Sequence, residues 1–203
     1  MESSTETNSK VLVDFVYVPS INLYVAKERK FYNQKCVDCH KELQKNNEKM
    51  LTIPEFIEFL KYIKSSNNQE YQNIYKEITE VRYPWRAEWL DADFRIKSNK
   101  LHINYNHVLS LNGSKGIFSG VNLIPKNSEP LDSNTLMKDK KISLEDWLEN
   151  PTEQGFPFRN VKDGNLFYQH PRSENNFATR FDVDANVAGF LCKGVPFGRH
   201  PYI

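Results

Sequence analysis

The sequence has no long hydrophobic run. Its longest apolar stretch, residues 11–18, is interrupted by Asp14 and is far shorter than the roughly 20 residues that a membrane helix needs. An excess of charge is also missing, since 27 Lys+Arg face 26 Asp+Glu and the net charge is +1. A near-neutral chain has no long-range field that would recruit nucleic acid or an anionic membrane. We therefore predict no membrane insertion and no nucleic-acid partner.

Cysteine is scarce, and a secretory signal is missing. Three cysteines cannot make a fully paired disulfide framework. The first ten residues, MESSTETNSK, have no positively charged segment followed by an apolar one, so we predict no signal peptide. These residues 1–10 are polar and aperiodic, which predicts a short disordered leader. The expectation is a chain made in the cytosol with reduced thiols.

Aromatic residues are plentiful despite a low mean hydropathy. The 203 residues include 13 Phe, 10 Tyr and 3 Trp, which supply large areas that can be buried. The mean hydropathy is nevertheless −0.65. This combination indicates one ordered domain with a polar, irregular and hydrogen-bonded surface.

The apolar pattern predicts helices mainly in the N-terminal half. Residues 23–46 are rich in Lys, Glu and Gln and are predicted as a helix. Thr52 followed by Glu55 is a capping-box pattern, with Pro54 in the first turn. Two helices are then predicted from apolar residues at helical spacing: Phe56, Phe59, Leu60 and Ile63 in the first, and Tyr71, Ile74, Tyr75 and Ile78 in the second.

Short strands are predicted in the remainder of the chain. β-branched and aromatic residues predict a strand over residues 11–18. Alternating apolar residues predict a hairpin that turns at residues 98–100, and Asn112-Gly113 predicts another turn. Ser143 with Asp146 predicts a short capped helix, and further strands are predicted at residues 165–169, 177–181 and 189–193. This arrangement is α+β.

The most conspicuous motif is Cys36-Val37-Asp38-Cys39-His40. Its spacing is that of c-type haem attachment, in which two thiols bond the vinyl groups and the histidine ligates iron. Haem c is attached outside the cytoplasm, so the predicted lack of a signal peptide argues against haem attachment here. A zinc site needs about four ligands, and the other candidates form no second paired cluster: Cys192, His102, His107, His170 and His200. We therefore predict a local redox pair or an incidental cysteine pair on a helix, with no metal and no cofactor.

Two carboxylates, Asp91 and Asp93, flank Ala92. Paired carboxylates can perform acid–base chemistry or bind calcium. Residues two apart at the start of a strand share one face, and we predict that these two are solvated or paired with one of the nearby arginines, Arg82, Arg86 and Arg95. His102 and His107 are an odd number of residues apart, so the alternation of a strand predicts opposite faces and no shared ligand.

Motifs of known catalytic chemistry are missing. The sequence has no phosphate-binding glycine loop, dinucleotide fingerprint, serine elbow or His-Glu-x-x-His helix. Glu129-Pro130 is similar to part of the calcium tripeptide of carbohydrate-recognising lectins, but Leu131 stands where that tripeptide needs a polar ligand. We predict a protein that is not an enzyme and has no lectin-type calcium site.

Several blocks of the sequence resemble a known family. They are residues 78–82, PWRAEWLDADF from Pro84, INYNH from Ile103, residues 126–131 and ISLEDWL from Ile142. In these blocks and in the tail, the chain is similar to the variable proteins of archaeal diversity-generating retroelements, in particular the AvpA-like, Nanoarchaeota-type proteins. The resemblance runs from about Leu23 to Ile203, and the tryptophan-rich block is its most specific part.

The resemblance implies a fold and a source of variation. The fold would be a C-type lectin fold without the lectin calcium site, as one domain over residues 11–203 with a hypervariable region at 181–203. In such systems an error-prone reverse transcriptase copies a template RNA and misreads adenines, and the copy replaces the 3′ end of the gene. Asparagine codons of the form AAY then become codons for other residues without creating a stop.

The resemblance also assigns roles within the tail. The exposed, variable, ligand-binding positions would be Asp182, Asp184, Asn186, Val187, Gly189, Leu191, Lys193, Gly194, Val195, Phe197, Gly198, Arg199, His200 and Tyr202. The fixed scaffold positions would be Phe181, Ala188, Phe190, Cys192 and Pro196. Residues 181–203 contain no Glu, Gln, Ser, Thr, Met or Trp, as a restricted codon set would produce. Lys193 departs from that set, because AAY codons do not yield lysine.

The function implied by the resemblance is ligand binding and display. The partner would be an unknown protein or glycan on a cell or virus surface, and the protein itself would reach a cell surface or virion by a route that the sequence does not reveal. Two alternatives stay open. One is a small redox or haem-binding protein that uses residues 36–40. The other is an enzyme like the formylglycine-generating enzyme, which would need a reactive cysteine pair near the tail, where only Cys192 is present.

Overall fold

The computed structural model describes residues 14–28, 30–31, 34–81, 86–110, 123–173, 179–183 and 188–191. The predicted leader at residues 1–10 and the predicted turn at Asn112-Gly113 lie outside them. Helices in the described residues are α1 Cys36–Lys45, α2 Ile53–Ser65, α3 Gln69–Thr79 and α4 Leu144–Glu149. The strands are β1 Phe15–Val18, β2 Leu23–Ala26, β3 Arg86–Leu90, β4 Asp93–Lys97, β5 Lys100–Leu109, β6 Leu123–Pro130, β7 Lys140–Ile142, β8 Leu166–Gln169, β9 Thr179–Val183 and β10 Ala188–Leu191.

The strands form three sheets. β1 and β2 make a hairpin, β4-β5-β6 make a three-stranded sheet, and the largest sheet has the order β3-β9-β10-β8-β7. Neighbouring strands are antiparallel except for β10 and β8, which are parallel. The prediction of an α+β chain with helices mainly in the N-terminal half and short antiparallel strands is confirmed.

The predicted start of α2 is confirmed at atomic detail. The Thr52 side chain accepts from the first turn, and Glu55 Oε2 accepts from Thr52 N at 2.9 Å, which completes a capping box. Phe56, Phe59, Leu60 and Ile63 are all buried along one face of the helix. The short helix α4 is capped as predicted, with Asp146 N donating to Ser143 Oγ at 3.2 Å.

The predicted helix over residues 23–46 is wrong in its first half. Residues 23–26 form β2, and the helix begins only at Cys36. Asn22 adopts a positive φ of 51°, which turns the chain back so that β2 pairs with β1. Val16 and Val25 are then buried as direct partners, whereas the neighbouring pair Tyr17 and Tyr24 is exposed with ring centroids 5.0 Å apart. Cross-strand packing therefore outweighs the helical propensity of the polar residues that follow.

The predicted hairpin between β4 and β5 is confirmed. Its two turn residues, Ser98 and Asn99, have φ of 48° and 59°. Positive φ at both central residues is the turn geometry that matches the right-handed twist of the flanking strands. The turn fixes the register, in which Asp93 stands opposite Asn104 and Phe94 opposite Ile103.

The main core lies between the helices and the five-stranded sheet. Phe181 of β9 packs against Phe56 of α2 and Trp147 of α4, with ring centroids 5.6 and 6.3 Å away. Trp147 is fully buried and its Nε1 donates to the carbonyl oxygen of Gly155 at 2.9 Å. Gly155 has a φ of +85° and has no room for a side chain, because a Cβ there would lie 2.7 Å from Ile53 Cγ2. In the described part of the chain, no helix has both the length and the apolar composition needed to span a membrane.

Candidate functional site

Three separate parts of the chain meet at a buried polar cluster. α1 contributes His40, the link between β3 and β4 contributes Asp91, β4 contributes Asp93 and β5 contributes His107. Their side chains are only 1–3% exposed. Polar groups buried this deeply are costly unless they are paired, so the contacts among these four side chains decide what the cluster can do. We refer to them as the His–Asp cluster.

Asp91 is the centre of the cluster. Its Oδ2 accepts from the backbone N of His107 at 3.1 Å, and its Oδ1 contacts Nδ1 of the same ring. Oδ1 also lies 3.7 Å from Nε2 of His40. Asp91 N donates to the carbonyl oxygen of Leu51 at 2.8 Å, which holds the backbone in place. Asp91 therefore joins the two imidazoles.

Asp93 lies on the opposite side of the His107 ring, next to its second nitrogen, Nε2. Its Oδ1 accepts from Nδ2 of Asn104, the residue directly opposite in the β4–β5 ladder. Its Oδ2 lies 3.6 Å from Nε2 of His107 and has no hydrogen-bond partner, although it is buried. The His107 ring thus lies between two carboxylates.

The electrostatic environments of the two histidines differ. Burial lowers the pKa of His40 to about 4, and the nearby Asp91 carboxylate offsets only part of that effect. Burial also acts to lower the pKa of His107, but its contacts with the Asp91 and Asp93 carboxylates together outweigh burial and raise that pKa to about 9. At neutral pH His40 is therefore a neutral ring, which is the form of histidine that binds metal ions.

The cysteines of the Cys-x-x-Cys-His motif lie beside this cluster in apolar surroundings. Cys36 and Cys39 are buried free thiols, and Cys36 Sγ is 4.0 Å from Met50 Sδ. Burial raises the pKa of Cys36 well above its usual range, and it raises that of Cys39 to about 11. Protonated thiols are poor nucleophiles and poor metal ligands. The histidine of the motif, rather than its thiols, belongs to the polar cluster.

Gln44 fixes α1 relative to β5. Its Nε2 donates to the carbonyl oxygen of His107 at 2.9 Å, and its Oε1 accepts from Leu109 N at 2.8 Å. Because Gln44 lies one helical turn after His40, both side chains point towards β5. This amide clamp brings the ring of His40 within a centroid distance of 5.8 Å of the ring of His107.

We expect Gln44→Ala to lower the free energy of unfolding by about 2 kcal/mol, because two hydrogen bonds are lost and each contributes about 1 kcal/mol. Urea denaturation measures the change. The control is Gln69→Ala, which removes a surface contact with Asn73 and should change stability by less than about 0.5 kcal/mol. Equal effects of the two substitutions would contradict the clamp.

The structure corrects the sequence prediction for Asp91 and Asp93 and shows where the histidines lie. The prediction that Asp91 and Asp93 are solvated is wrong, because both are buried; the side chains of Arg82 and Arg86 lie outside the described residues, and Arg95 is exposed. His102 does not belong to the His–Asp cluster. What the sequence did not reveal is that His40 and His107 converge on Asp91. Alternation along β5 could not have revealed this, because the adjacent residues Ile103 and Asn104 are both buried and Asn106, with a φ of 55°, interrupts the regular strand just before His107.

Most predicted tail positions fall outside the described residues. This holds for Asp184, Asn186, Val187, Cys192, Lys193, Gly194, Val195, Pro196, Phe197, Gly198, Arg199, His200 and Tyr202. Asp182 lies in β9, and Ala188, Gly189, Phe190 and Leu191 form β10. Phe181 is the one proposed scaffold residue whose side chain is described, and it is 1% exposed.

Comparison with known proteins returned no match. No family model fits the chain, and no curated protein or solved structure is similar to it.

Proposed function

We propose that the protein binds and displays ligands through a C-terminal surface diversified by a retroelement, on a C-type lectin frame that does not use the lectin calcium site. The variable positions are those named above within residues 181–203. The ligand is a protein or a glycan on a cell or virus surface. The protein binds rather than catalyses.

The observation that carries this proposal is the burial of Phe181. A surface that must survive wholesale substitution needs an anchor whose partners lie outside the varied segment. Phe181 has such partners, because its ring packs on Phe56 and Trp147. Its strand is also held on both sides, by β3 and by β10. The varied segment therefore starts from a point that the rest of the chain fixes.

Two of the blocks that resemble the retroelement proteins contact this anchor or its strand. The block from Ile142 contains the end of β7 and helix α4, whose Trp147 and Leu148 are buried. The tryptophan-rich block contains β3, which pairs with β9 along its whole length. Residues that carry the resemblance thus form the frame from which the tail emerges, as expected if they are kept fixed while the tail varies.

The contacts of Glu129 and Pro130 support a C-type lectin frame that has no calcium site of the lectin type. Glu129 Oε1 accepts from the Tyr105 hydroxyl at 3.3 Å, and the Pro130 carbonyl oxygen accepts from Gln154 Nε2 at 2.9 Å. Leu131 follows and offers no side-chain oxygen. Calcium requires six to eight oxygen ligands, and here two of the candidate oxygens already bond to protein groups.

The genome of the source organism provides the test. We expect a near-copy of the roughly 70 nucleotides that encode residues 181–203 (23 codons) beside a reverse transcriptase gene, differing almost only at adenines of the template. The matched control is the segment that encodes residues 123–170, for which no such copy is expected. Finding no copy, or a copy whose differences are spread evenly over the four bases, would contradict the proposal.

A further inference from the structure

We propose that His40, Asp91 and His107 bind one divalent first-row transition-metal ion, with zinc as the best fit, and that Asp93 orients His107 from outside the coordination sphere. This site is separate from the proposed variable surface and does not depend on it. It rests on donor type, spacing, an unsatisfied carboxylate oxygen and buried charge.

The donor atoms are close to the spacing that one ion needs. One nitrogen from each histidine and one Asp91 oxygen all lie within 4.8 Å of one another. Bonds from zinc to nitrogen or oxygen are about 2.0–2.2 Å, so the ligand atoms of a tetrahedral ion are about 3.4 Å apart. The His40 Nε2 to Asp91 Oδ1 distance of 3.7 Å is already near that value. His107 Nδ1 and Asp91 Oδ1 are in direct contact, so an ion bound to both atoms would displace the proton between them and move the two side chains apart.

Asp93 gives an independent reason to expect metal. Histidines that ligate metals usually donate their second ring N–H to a carboxylate, which fixes the tautomer and the ring orientation. Asp93 Oδ2 stands 3.6 Å from His107 Nε2, is buried, and has no hydrogen-bond partner. When His107 ligates through Nδ1, its Nε2–H points to this oxygen. Closing that distance would give this carboxylate oxygen the hydrogen bond that it lacks.

The charge of the cluster also favours a cation. Asp91 and Asp93 are 3% and 2% exposed, and within the described residues neither forms an ion pair with lysine or arginine. Two buried carboxylates are costly without compensating positive charge, and their ion pairs with the single His107 ring supply at most one such charge. A divalent ion would balance both of them.

The donor chemistry selects the class of ion. Calcium and magnesium prefer oxygen ligands only, whereas imidazole nitrogen suits zinc, iron, nickel and copper. The thiols of Cys36 and Cys39 adjoin the cluster but do not belong to the set of donors within 4.8 Å. The proposed site therefore has nitrogen and oxygen ligands and no sulfur ligand. Because its ligands come from α1, the β3–β4 link and β5, the ion would tie these elements together and stabilise the fold.

The test uses the full chain, refolded with or without Zn²⁺ after EDTA treatment and then desalted. We expect one zinc per chain by elemental analysis, and a midpoint of thermal unfolding raised by about 5 °C or more when the ion is in large excess over its dissociation constant. Co²⁺ serves as a spectroscopic probe. We expect visible bands of nitrogen and oxygen coordination without the intense near-ultraviolet band of a cobalt–thiolate bond.

Four variants separate the roles. His40→Gln and His107→Gln should each weaken Zn²⁺ binding by more than about 100-fold, and Asp93→Asn by about 10- to 100-fold, as expected for an outer carboxylate. His102→Gln is the matched control on the same strand as His107 and should bind normally. The double variant Cys36→Ser/Cys39→Ser should also bind normally.

Three results would overturn the proposal. The first is wild-type protein that retains less than about 0.2 zinc per chain after refolding in Zn²⁺, which decides the matter even if a histidine variant does not fold. The second is a cobalt–thiolate band that the double cysteine variant abolishes, because it would place the ion on sulfur. The third is equal loss of binding in His102→Gln and His107→Gln.

Discussion

Replacing Phe181 with alanine is expected to lower the free energy of unfolding by about 3–5 kcal/mol, the usual cost of truncating a buried phenylalanine. The ring is 1% exposed and lies between Phe56 and Trp147. These neighbours belong to two different helices, which limits how far they can close around the cavity. The loss would be a large part of the 5–15 kcal/mol that holds a typical domain folded.

Urea denaturation followed by circular dichroism measures this loss. The control is Tyr24→Ala, which truncates an aromatic residue of similar size that is 53% exposed and should cost less than about 1 kcal/mol. If Phe181→Ala costs no more than Tyr24→Ala, the tail is not anchored as described, and the observation that supports the display proposal fails with it.

The second large effect is expected at Asp91. Asp91→Ala should lower the free energy of unfolding by about 3–5 kcal/mol, because removing one partner of a buried ion pair is strongly destabilising. In this case the His107 ring loses a carboxylate and the His107 backbone N loses its acceptor. The measurement is made in EDTA, so that a bound metal ion contributes nothing to the difference.

Asp139 offers a matched control for Asp91. It contacts the ring Nδ1 of His170 at 2.6 Å and accepts from the backbone N of His170 at 3.1 Å, which is the same pair of contacts that Asp91 makes to His107. Asp139 is 37% exposed, whereas Asp91 is 3% exposed. We expect Asp139→Ala to cost less than about 1 kcal/mol, because water screens exposed pairs. Similar losses at the two sites would show that burial does not set the strength of the Asp91 contacts.

The sequence predicted those helices and turns that are specified by residues close together in the chain. The capping box at Thr52 and the apolar stripe from Phe56 to Ile63 identified α2, because both features depend on residues within one helical turn of each other. The hairpin turn at residues 98–100 was found for the same reason. β2 was missed because it is a strand only through its pairing with β1. The residues that follow Leu23 have a composition typical of a helix, so the sequence alone does not indicate that pairing.

The His–Asp cluster could not be assembled from the sequence for a related reason. His40, Asp91 and His107 come from segments far apart in the chain, and periodicity describes only the face that each occupies on its own element. The register of β4 against β5 placed Asp93 opposite Asn104, which is deducible once the hairpin is known. The position of α1 over β5 depends on Gln44, whose role appears only in three dimensions.

The order of strands in the largest sheet has a consequence for the newly made chain. β3 ends at Leu90, but its neighbour β9 begins at Thr179, so β3 acquires this partner only after the 88 residues between them (91–178) have been made. Until then Phe56 and Trp147 lack the ring that covers them, and such surfaces attract chaperones and promote aggregation. Under the proposed function, the residues of β10 and most of those of β9 both complete the sheet and belong to the segment that carries the diversity. A tail sequence that hinders β9 and β10 would then be removed as a folding failure before it could meet any ligand.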